Sequence, residues 1–219
     1  MTLFADLKAA IGPEWTAYTR HEFVAHLGAG TLPLEAFQDY LVQDYLFLIQ
    51  FARANALAAY KSRSLDDITE ATQSLSSILA ETELHRRLTG RWGIFPAELD
   101  AAPEKQATVA YTRYVLDCGT SGDLLDLHVA LAPCVIGYAE IGSALAPLAA
   151  DREDHPYAEW IGEYASPEYQ QSGIAAINRL DALIGGGITE RRFTELTAIF
   201  RAATRLEADF WQQALDTVE

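Results

Sequence analysis

The sequence predicts an all-α protein, and three observations lead to this prediction. Apolar residues recur at helical spacing along most of the 219 residues. Sustained alternation of apolar and polar residues is missing, as are the Asn-Gly and Asp-Gly pairs that are typical of tight hairpins. Glycine and proline divide the chain into segments of helix length with short connections, which is the pattern of a helical bundle.

The first half of the chain contains four predicted helices. They cover residues 3–11, 13–27, 37–61 and 66–89. Gly12 ends the first helix, and Pro13 suits the first turn of the second because that position needs no backbone N–H. The third helix begins near Thr31–Glu35, where we expect Thr31 or a nearby residue as the cap and Pro33 at the entry.

The second half contains five further predicted helices. They cover residues 104–118, 123–148, 157–164, 167–183 and 189–216, after a loop at 93–103. Pro133 lies inside one of them, where proline removes one backbone hydrogen bond and predicts a kink. Because no domain linker, low-complexity segment or repeat is recognisable, we expect residues 1–219 to form a single domain.

The net charge and the cysteine content of the chain argue against several classes of function. The net charge is −15, from 31 acidic and 16 basic residues. This charge argues against nucleic acid and against anionic membranes as partners, because both need clustered lysine and arginine. We find no signal peptide and no uninterrupted apolar stretch long enough to span a bilayer. With only Cys118 and Cys134, the chain is expected to be cytoplasmic with reduced thiols.

Asp44 is the first candidate functional residue. At helical spacing it lies on the same side as Tyr40, Leu41 and Leu48, where an amphipathic helix normally has only apolar residues. Burying an isolated carboxylate costs several kcal/mol, of the order of 2–7 kcal/mol even for a neutral polar group. Asp44 is therefore either a satisfied core polar group or part of a functional site.

Three more polar groups lie on predicted inner faces. Glu207 falls within the apolar stripe of the last helix, and burial there would raise its pKa towards neutrality. Cys134 and Tyr138 lie one turn apart on one face of the helix that contains Pro133. Taken singly, a buried cysteine or tyrosine is more often a core residue than a functional one. Together they indicate a cysteine-dependent site for a small flat ligand.

Four segments in order resemble the TenA/thiaminase II family. They are LVQDYLFL at 41–48, LAPCVIGYAEIG at 131–142, WIGEYAS at 160–166 and EADFW at 207–211. The resemblance covers essentially the whole chain, and the segment around Cys134 is its most specific part. It implies the haem-oxygenase-like all-α fold without haem or another cofactor, usually as a homotetramer. It also implies hydrolysis of 4-amino-5-aminomethyl-2-methylpyrimidine to the hydroxymethyl compound in thiamin salvage, and in some members cleavage of thiamin.

The resemblance also assigns roles to residues. Cys134 matches the nucleophile and Glu207 the acid/base glutamate. Asp44 matches the carboxylate that holds the ring amino group. Hydrogen-bonding tyrosines of the pocket are matched by Tyr138 and Tyr164, and Tyr111 matches an aromatic residue that stacks on the ring.

Phe47 departs from the family pattern, which often has a tyrosine whose hydroxyl supports the cysteine. Phe47 can stack on a substrate ring, but it donates no hydrogen bond, so thiolate stabilisation of about 1.5–3 kcal/mol is lost. A non-catalytic pyrimidine- or thiamin-binding protein is therefore an alternative. A metal-dependent oxidase on the same fold is another, because Glu81 and His85 have metal-ligand spacing. We expect no metal site, since further ligands in register are not evident.

Overall fold

The helices follow from the apolar periodicity and from residues that cap their ends. The computed structural model describes residues 2–218, with side chains at every position except Ser77, Ala80, Glu81, Glu83, Leu84, Arg87 and Leu88. Thr2, Ser64 and Ser166 each accept a hydrogen bond from a backbone N–H three residues later, which satisfies a donor that the first helical turn leaves unbonded.

Within the described residues the secondary structure is helical and contains no strand, which confirms the all-α prediction. The α-helices are α1 (Leu3–Ala10), α2 (Gly12–Thr19), α3 (Glu22–Ala29), α4 (Leu34–Lys61), α5 (Leu65–Leu88), α6 (Pro96–Ala101), α7 (Gln106–Ser121), α8 (Leu124–Ala150), α9 (Ala158–Ala165), α10 (Pro167–Ile184) and α11 (Glu190–Leu215). A 3-10 turn covers Thr89–Trp92.

The prediction of one helix over residues 13–27 is wrong, because α2 ends at Thr19 and α3 begins at Glu22. The break occurs where the Nδ1 atom of His21 accepts a hydrogen bond from the backbone N–H of Phe23 at 3.2 Å. Histidine thus caps α3 in the way that asparagine usually caps helices. The N-cap position of α4 is Pro33, one of the residues near Thr31, and it makes no side-chain capping hydrogen bond. The Thr31 hydroxyl lies 3.0 Å from Nδ1 of His26.

The predicted loop at 93–103 contains the short helix α6. Pro96 occupies its first turn, and the Glu98 carboxylate accepts a hydrogen bond from the backbone N–H of Phe95 at 2.7 Å. These are ordinary helix-start features. The flanking glycine and prolines are typical of a loop, which is why a loop was predicted here.

The chain divides into two compact units, and whether residues 1–219 act as one domain stays a prediction. The first unit comprises Met1–Leu32 and His128–Gln212. Its core contains the stacked rings of Trp15 and Phe200, 5.5 Å apart, and of Phe23 and Trp211, 4.7 Å apart. These contacts anchor α11 to α2 and α3.

The second unit comprises Pro33–Leu127 and Gln213–Glu219. Here α4 packs against α5 and α7. The ring of Phe37 near the start of α4 contacts Trp92 with centroids 4.8 Å apart. Gly119 of α7 lies directly against Leu57 and Leu127, where an added Cβ would come within 3 Å of both side chains.

Helix α8 is long and apolar enough to cross a membrane by length and composition alone. It is not an uninterrupted apolar stretch, because Asp126, His128 and Glu140 lie within it. Within the structure, 67% of its most apolar window is buried. That degree of burial is typical of a core helix.

Candidate active site

Gln43, which precedes Asp44, anchors α4 within the second unit. Its side chain is 2% exposed. Its amide oxygen accepts hydrogen bonds from the Thr108 hydroxyl at 2.6 Å and the Lys105 backbone N–H at 2.9 Å. Its amide nitrogen donates to the carbonyl oxygen of Pro103 at 3.1 Å. These bonds fix the rotation of α4 and therefore the direction of the neighbouring carboxyl group.

Asp44 is buried on the apolar face of α4, which confirms its predicted placement. It is 6% exposed. Burial penalises the charged form and raises the pKa of this carboxyl group from 3.8 to about 7, while a hydrogen bond with Tyr40 opposes part of the rise. A carboxyl group in this range can hold or release a proton near neutral pH.

His85 of α5 lies beside Asp44, and the sequence analysis gave it no role at the site. Its Nδ1 atom is 3.7 Å from Oδ2 of Asp44, and its Nε2 atom is 3.0 Å from the carbonyl oxygen of Leu41. Asp44 and His85 lie on different helices, so no local spacing in the sequence points to them as a pair. The side chain of Glu81 lies outside the described side chains.

Phe47, one turn along α4 from Asp44, forms an aromatic pair with Tyr111 of α7. Their ring centroids are 5.2 Å apart with planes tilted by 30°, and Phe47 also stacks on Phe51 at 5.7 Å. A flat ring sandwiched between two others needs about 7 Å, twice the usual contact distance of about 3.5 Å. A planar ligand would therefore stack on one face of this pair and not between its members.

Cys134 follows Pro133 on α8, and Tyr18 of α2 packs beside them. The buried Tyr18 hydroxyl donates to the carbonyl oxygen of Pro133 at 3.2 Å. Gly137 makes room for this ring, since an added Cβ would come within 2.3 Å of its Cε1 atom. Helix α8 continues through Pro133, and Cys134 is half-buried.

Tyr138 and Tyr164 belong to one aromatic cluster in the first unit. Their ring centroids are 4.9 Å apart. Trp211 lies 5.1 Å from Tyr138, and Trp160 lies 4.5 Å from Tyr164. The structure thus brings together two tyrosines that the sequence placed on separate helices.

Two residues that the sequence analysis did not single out hold Tyr164 in place. The side-chain nitrogen of Gln170 donates to the carbonyl oxygens of Tyr164 at 2.8 Å and Ala139 at 2.9 Å. Gly142 lets α8 approach the end of α9, since an added Cβ would come within 2.5 Å of the Tyr164 carbonyl carbon. Gly142 belongs to the segment that carries the family resemblance, so its spacing was the available signal.

Glu207 lies on the buried face of α11, as predicted. It is 1% exposed, and Ala203 one turn before it is fully buried. One turn after it, Trp211 belongs to the cluster that contains Tyr138. The carboxyl group therefore lies on the same inner stripe as this aromatic residue.

The seven predicted site residues fall into two groups. Cys134, Tyr138, Tyr164 and Glu207 belong to the first unit, and Asp44, Phe47 and Tyr111 belong to the second. All are buried except Cys134, which is half-buried. The predicted burial of Asp44, Tyr138 and Glu207 is confirmed, while the chemical roles of all seven residues stay predictions.

Two other features of the molecule do not add to this set. Among the described side chains, no group of three or more His, Cys, Asp or Glu residues could hold a metal ion. An open surface depression of about 460 Å³ on α5 contains none of the predicted site residues. It is lined by Ile68, Thr69, Thr72, Gln73 and Ser76.

Comparison with known proteins places these residues in a family context. Residues 8–217 match the TENA/THI-4/PQQC family. The chain is 38% identical to an aminopyrimidine aminohydrolase of Halalkalibacterium halodurans, over 98% of this chain and 96% of that protein. It is 30% identical to an aminopyrimidine aminohydrolase of Helicobacter pylori, over 91% of this chain and 92% of that protein.

A solved structure supports the same relationship. The crystal structure of a protein described as a TenA family transcription regulator, from a Silicibacter species, superposes with a TM-score of 0.90 at 42% identity. The match covers 97% of this chain and 96% of that one. The all-α haem-oxygenase-like fold expected from the sequence is thereby confirmed.

Proposed function

Because the chain belongs to the TENA/THI-4/PQQC family, we propose that it hydrolyses thiamin-derived aminopyrimidines. The reaction converts 4-amino-5-aminomethyl-2-methylpyrimidine and water to the hydroxymethyl compound and ammonia. The observation that carries the proposal is the buried carboxyl group of Asp44, one turn from the aromatic pair of Phe47 and Tyr111. A carboxyl group beside aromatic side chains suits a flat heterocycle with an amino group.

The binding groups in this proposal are Asp44, Phe47 and Tyr111. The Asp44 carboxyl group accepts a hydrogen bond from the ring amino group, and it is held by the bonds that fix α4 through Gln43. Phe47 and Tyr111 offer an aromatic face on which the pyrimidine ring stacks. Orientation of the ring by these groups lowers the entropy cost of the chemical steps.

The reacting groups in this proposal are Cys134 and Glu207. The thiolate of Cys134 adds to the pyrimidine ring and forms a carbon–sulfur bond, and the electron pair displaced into the ring expels the amine from the exocyclic methylene. Glu207 protonates the departing amine, which leaves as ammonia. Water then adds to the methylene carbon and gives a proton to Glu207, and the carbon–sulfur bond breaks to restore the ring and the thiolate.

Tyr138 and Tyr164 supply hydroxyl groups that orient the bound pyrimidine. Support comes from their shared cluster, in which Gln170 fixes the backbone of Tyr164. A cluster packed in this way holds its hydroxyl groups with little freedom, which favours precise hydrogen bonding. We further propose that the protein acts as a homotetramer in the cytoplasm, and light scattering of the purified protein measures the assembly.

The test of the mechanism is release of ammonia from the aminomethylpyrimidine. We expect turnover by the wild-type protein and a loss of about 10³-fold or more in Cys134→Ala, since a nucleophile is removed. Cys118→Ala is the matched control, because Cys118 is the other thiol and lies on α7. Full activity in a folded Cys134→Ala variant would overturn the role of this thiol.

The role of Glu207 has its own test. Glu207→Gln keeps the size of the side chain but cannot transfer a proton, so we expect kcat to fall by about 10²–10⁴-fold with KM changed little. The dissociation constant of the hydroxymethylpyrimidine product, from calorimetry, provides the comparison. A change in affinity alone would show that Glu207 binds the ligand and does not shuttle protons.

Phe47 favours a second candidate function, that of a non-catalytic pyrimidine-binding protein. Its ring packs against Tyr111 and Phe51 and has no hydroxyl to support a thiolate. Binding of the pyrimidine without turnover over hours would support this candidate. For the enzyme, Phe47→Tyr should raise kcat by about tenfold or more, the factor for one charge-assisted hydrogen bond, while Phe51→Tyr should not.

A further inference from the structure

The surroundings of His85 determine which of its ring nitrogens carries a proton. The Nε2 atom lies 3.0 Å from the carbonyl oxygen of Leu41. A carbonyl oxygen only accepts hydrogen bonds, so Nε2 must be the donor. In the neutral imidazole ring the Nδ1 atom is then an acceptor with one lone pair.

That lone pair faces the carboxyl group of Asp44. The Nδ1 atom is 3.7 Å from Oδ2, and the two side chains are 14% and 8% exposed. Two lone pairs that face each other without a proton between them repel. The arrangement is stable when one proton lies between them, either on the carboxyl oxygen or on Nδ1.

The separation is an ion-pair distance and is longer than a hydrogen bond. Hydrogen bonds at enzyme sites are often long without substrate and shorten in the complex. Helix α5 therefore holds the imidazole ring ready against Asp44, with its orientation set by the backbone of α4.

We propose that His85 is the positioning residue for Asp44 and that the two side chains share a single proton. Because the shared proton stays between Oδ2 and Nδ1, Asp44 keeps an oxygen that accepts a hydrogen bond from the ring amino group. The inference rests on the proposed function, and it assigns to His85 the orientation of this carboxyl group towards the amino group.

Two substitutions separate this role from a purely structural one. His85→Gln keeps an amide group near the position of Nε2, where it can still donate to the Leu41 carbonyl. His85→Asn keeps a polar atom near the position of Nδ1, facing Asp44. If His85 only links α5 to α4, the glutamine variant should behave like the wild type. If His85 positions Asp44, the asparagine variant should behave like the wild type.

The first measurement is the ¹⁵N NMR spectrum of His85 in the ligand-free protein. We expect a protonated Nε2 and an Nδ1 that accepts or shares a proton, with the Nδ1 signal changed in Asp44→Ala. A neutral ring protonated at Nδ1, or a spectrum unchanged in Asp44→Ala, would overturn the shared proton. This result does not depend on turnover, so it stands apart from failure of the proposed function.

The second measurement is calorimetric binding of the hydroxymethylpyrimidine product. We expect His85→Gln to weaken binding by about tenfold or more, and His85→Asn by less than about threefold. An analogue without the ring amino group should bind the wild type and His85→Gln equally. Equal weakening of both pyrimidines in the glutamine variant, or weaker binding by the asparagine variant, would overturn the positioning role.

Discussion

At the scale of single residues, Asp44 is proposed to bind the substrate and also makes the stability of the protein depend on pH. Its carboxyl group is buried, and burial raises its pKa to about 7. The folded protein therefore binds this proton more tightly than the unfolded chain does. Stability from this group is fully present below the unfolded pKa and is lost as pH rises through about 7.

Asp44→Asn should therefore change stability in a pH-dependent way. Asparagine has a similar shape and never ionises, so the variant avoids the cost of a buried charge. We expect its free energy of unfolding to exceed that of the wild type at about pH 8.5, by at most about 4 kcal/mol, with the difference reduced to about half or less at about pH 5. Urea unfolding at both pH values measures it, and a gain that is equal at the two values would contradict the assignment.

The contribution of His21 to stability is expected to depend on pH in the opposite direction. Burial lowers its pKa, an effect partly opposed by Glu22, Asp209 and Gln212. The unfolded chain then binds the proton more tightly, so stability from His21 is present at neutral pH and is lost as pH falls below about 6.5. Protonation also removes the acceptor that caps α3 at Phe23.

His21→Asn tests this dependence, because asparagine supplies a capping oxygen that does not titrate. We expect the variant to lose less stability than the wild type between about pH 7.5 and about pH 5, measured by urea unfolding. His26→Asn is the matched control, since this exposed histidine lies on the same helix. A wild-type slope retained in His21→Asn would refute the prediction.

At the scale of helices, the close approach of α8 to the end of α9 depends on Gly142. Alanine there would place Cβ 2.5 Å from the Tyr164 carbonyl carbon and 2.7 Å from its oxygen. These are backbone atoms, so α9 must shift as a unit. We expect Gly142→Ala to destabilise the protein by about 1–3 kcal/mol and to lower kcat/KM by displacing Tyr164.

Gly162→Ala on α9 provides the control for this substitution. Nothing lies within 4 Å of the position where its Cβ would be placed. Alanine at such a helical position is expected to be neutral or to stabilise by up to about 1 kcal/mol. Thermal unfolding of the two variants compares them, and equal effects would show that the close approach at Gly142 is not responsible.

Some of the helices could be predicted from the sequence and others could not. Long periodic helices such as α4, α8 and α11 were predicted because one face is apolar over many turns. The break at His21 and the short helix α6 were missed, because each depends on a few capping hydrogen bonds in place of a long pattern. Local signals of this kind are weaker than periodicity in a single sequence.

The candidate site divides in a similar way. Asp44, Glu207 and Cys134 were predicted, since each is a polar group on an apolar helix face. His85 and Gln170 were not, because their partners lie on other helices and their roles follow from tertiary contacts. Residues that act through another residue have no periodic signal of their own.

At the scale of the whole molecule, continuous helices predict how the two units unfold. Helix α8 begins in the second unit and continues into the first, and α11 contains residues of both. Unfolding one unit alone would break both helices at internal positions and leave unbonded backbone groups at the new ends. We therefore expect one cooperative transition, as the single-domain prediction requires.

Tryptophan fluorescence can test this expectation because the four tryptophans are unequally distributed. Trp92 lies in the second unit, whereas Trp15, Trp160 and Trp211 lie in the first. In Trp92→Phe the fluorescence signal therefore reports the first unit, while far-ultraviolet circular dichroism reports the helices of both. We expect the two urea-induced transitions of this variant to share one midpoint and one slope. Separate midpoints would show that the units unfold independently, and residues 1–219 would then behave as two domains.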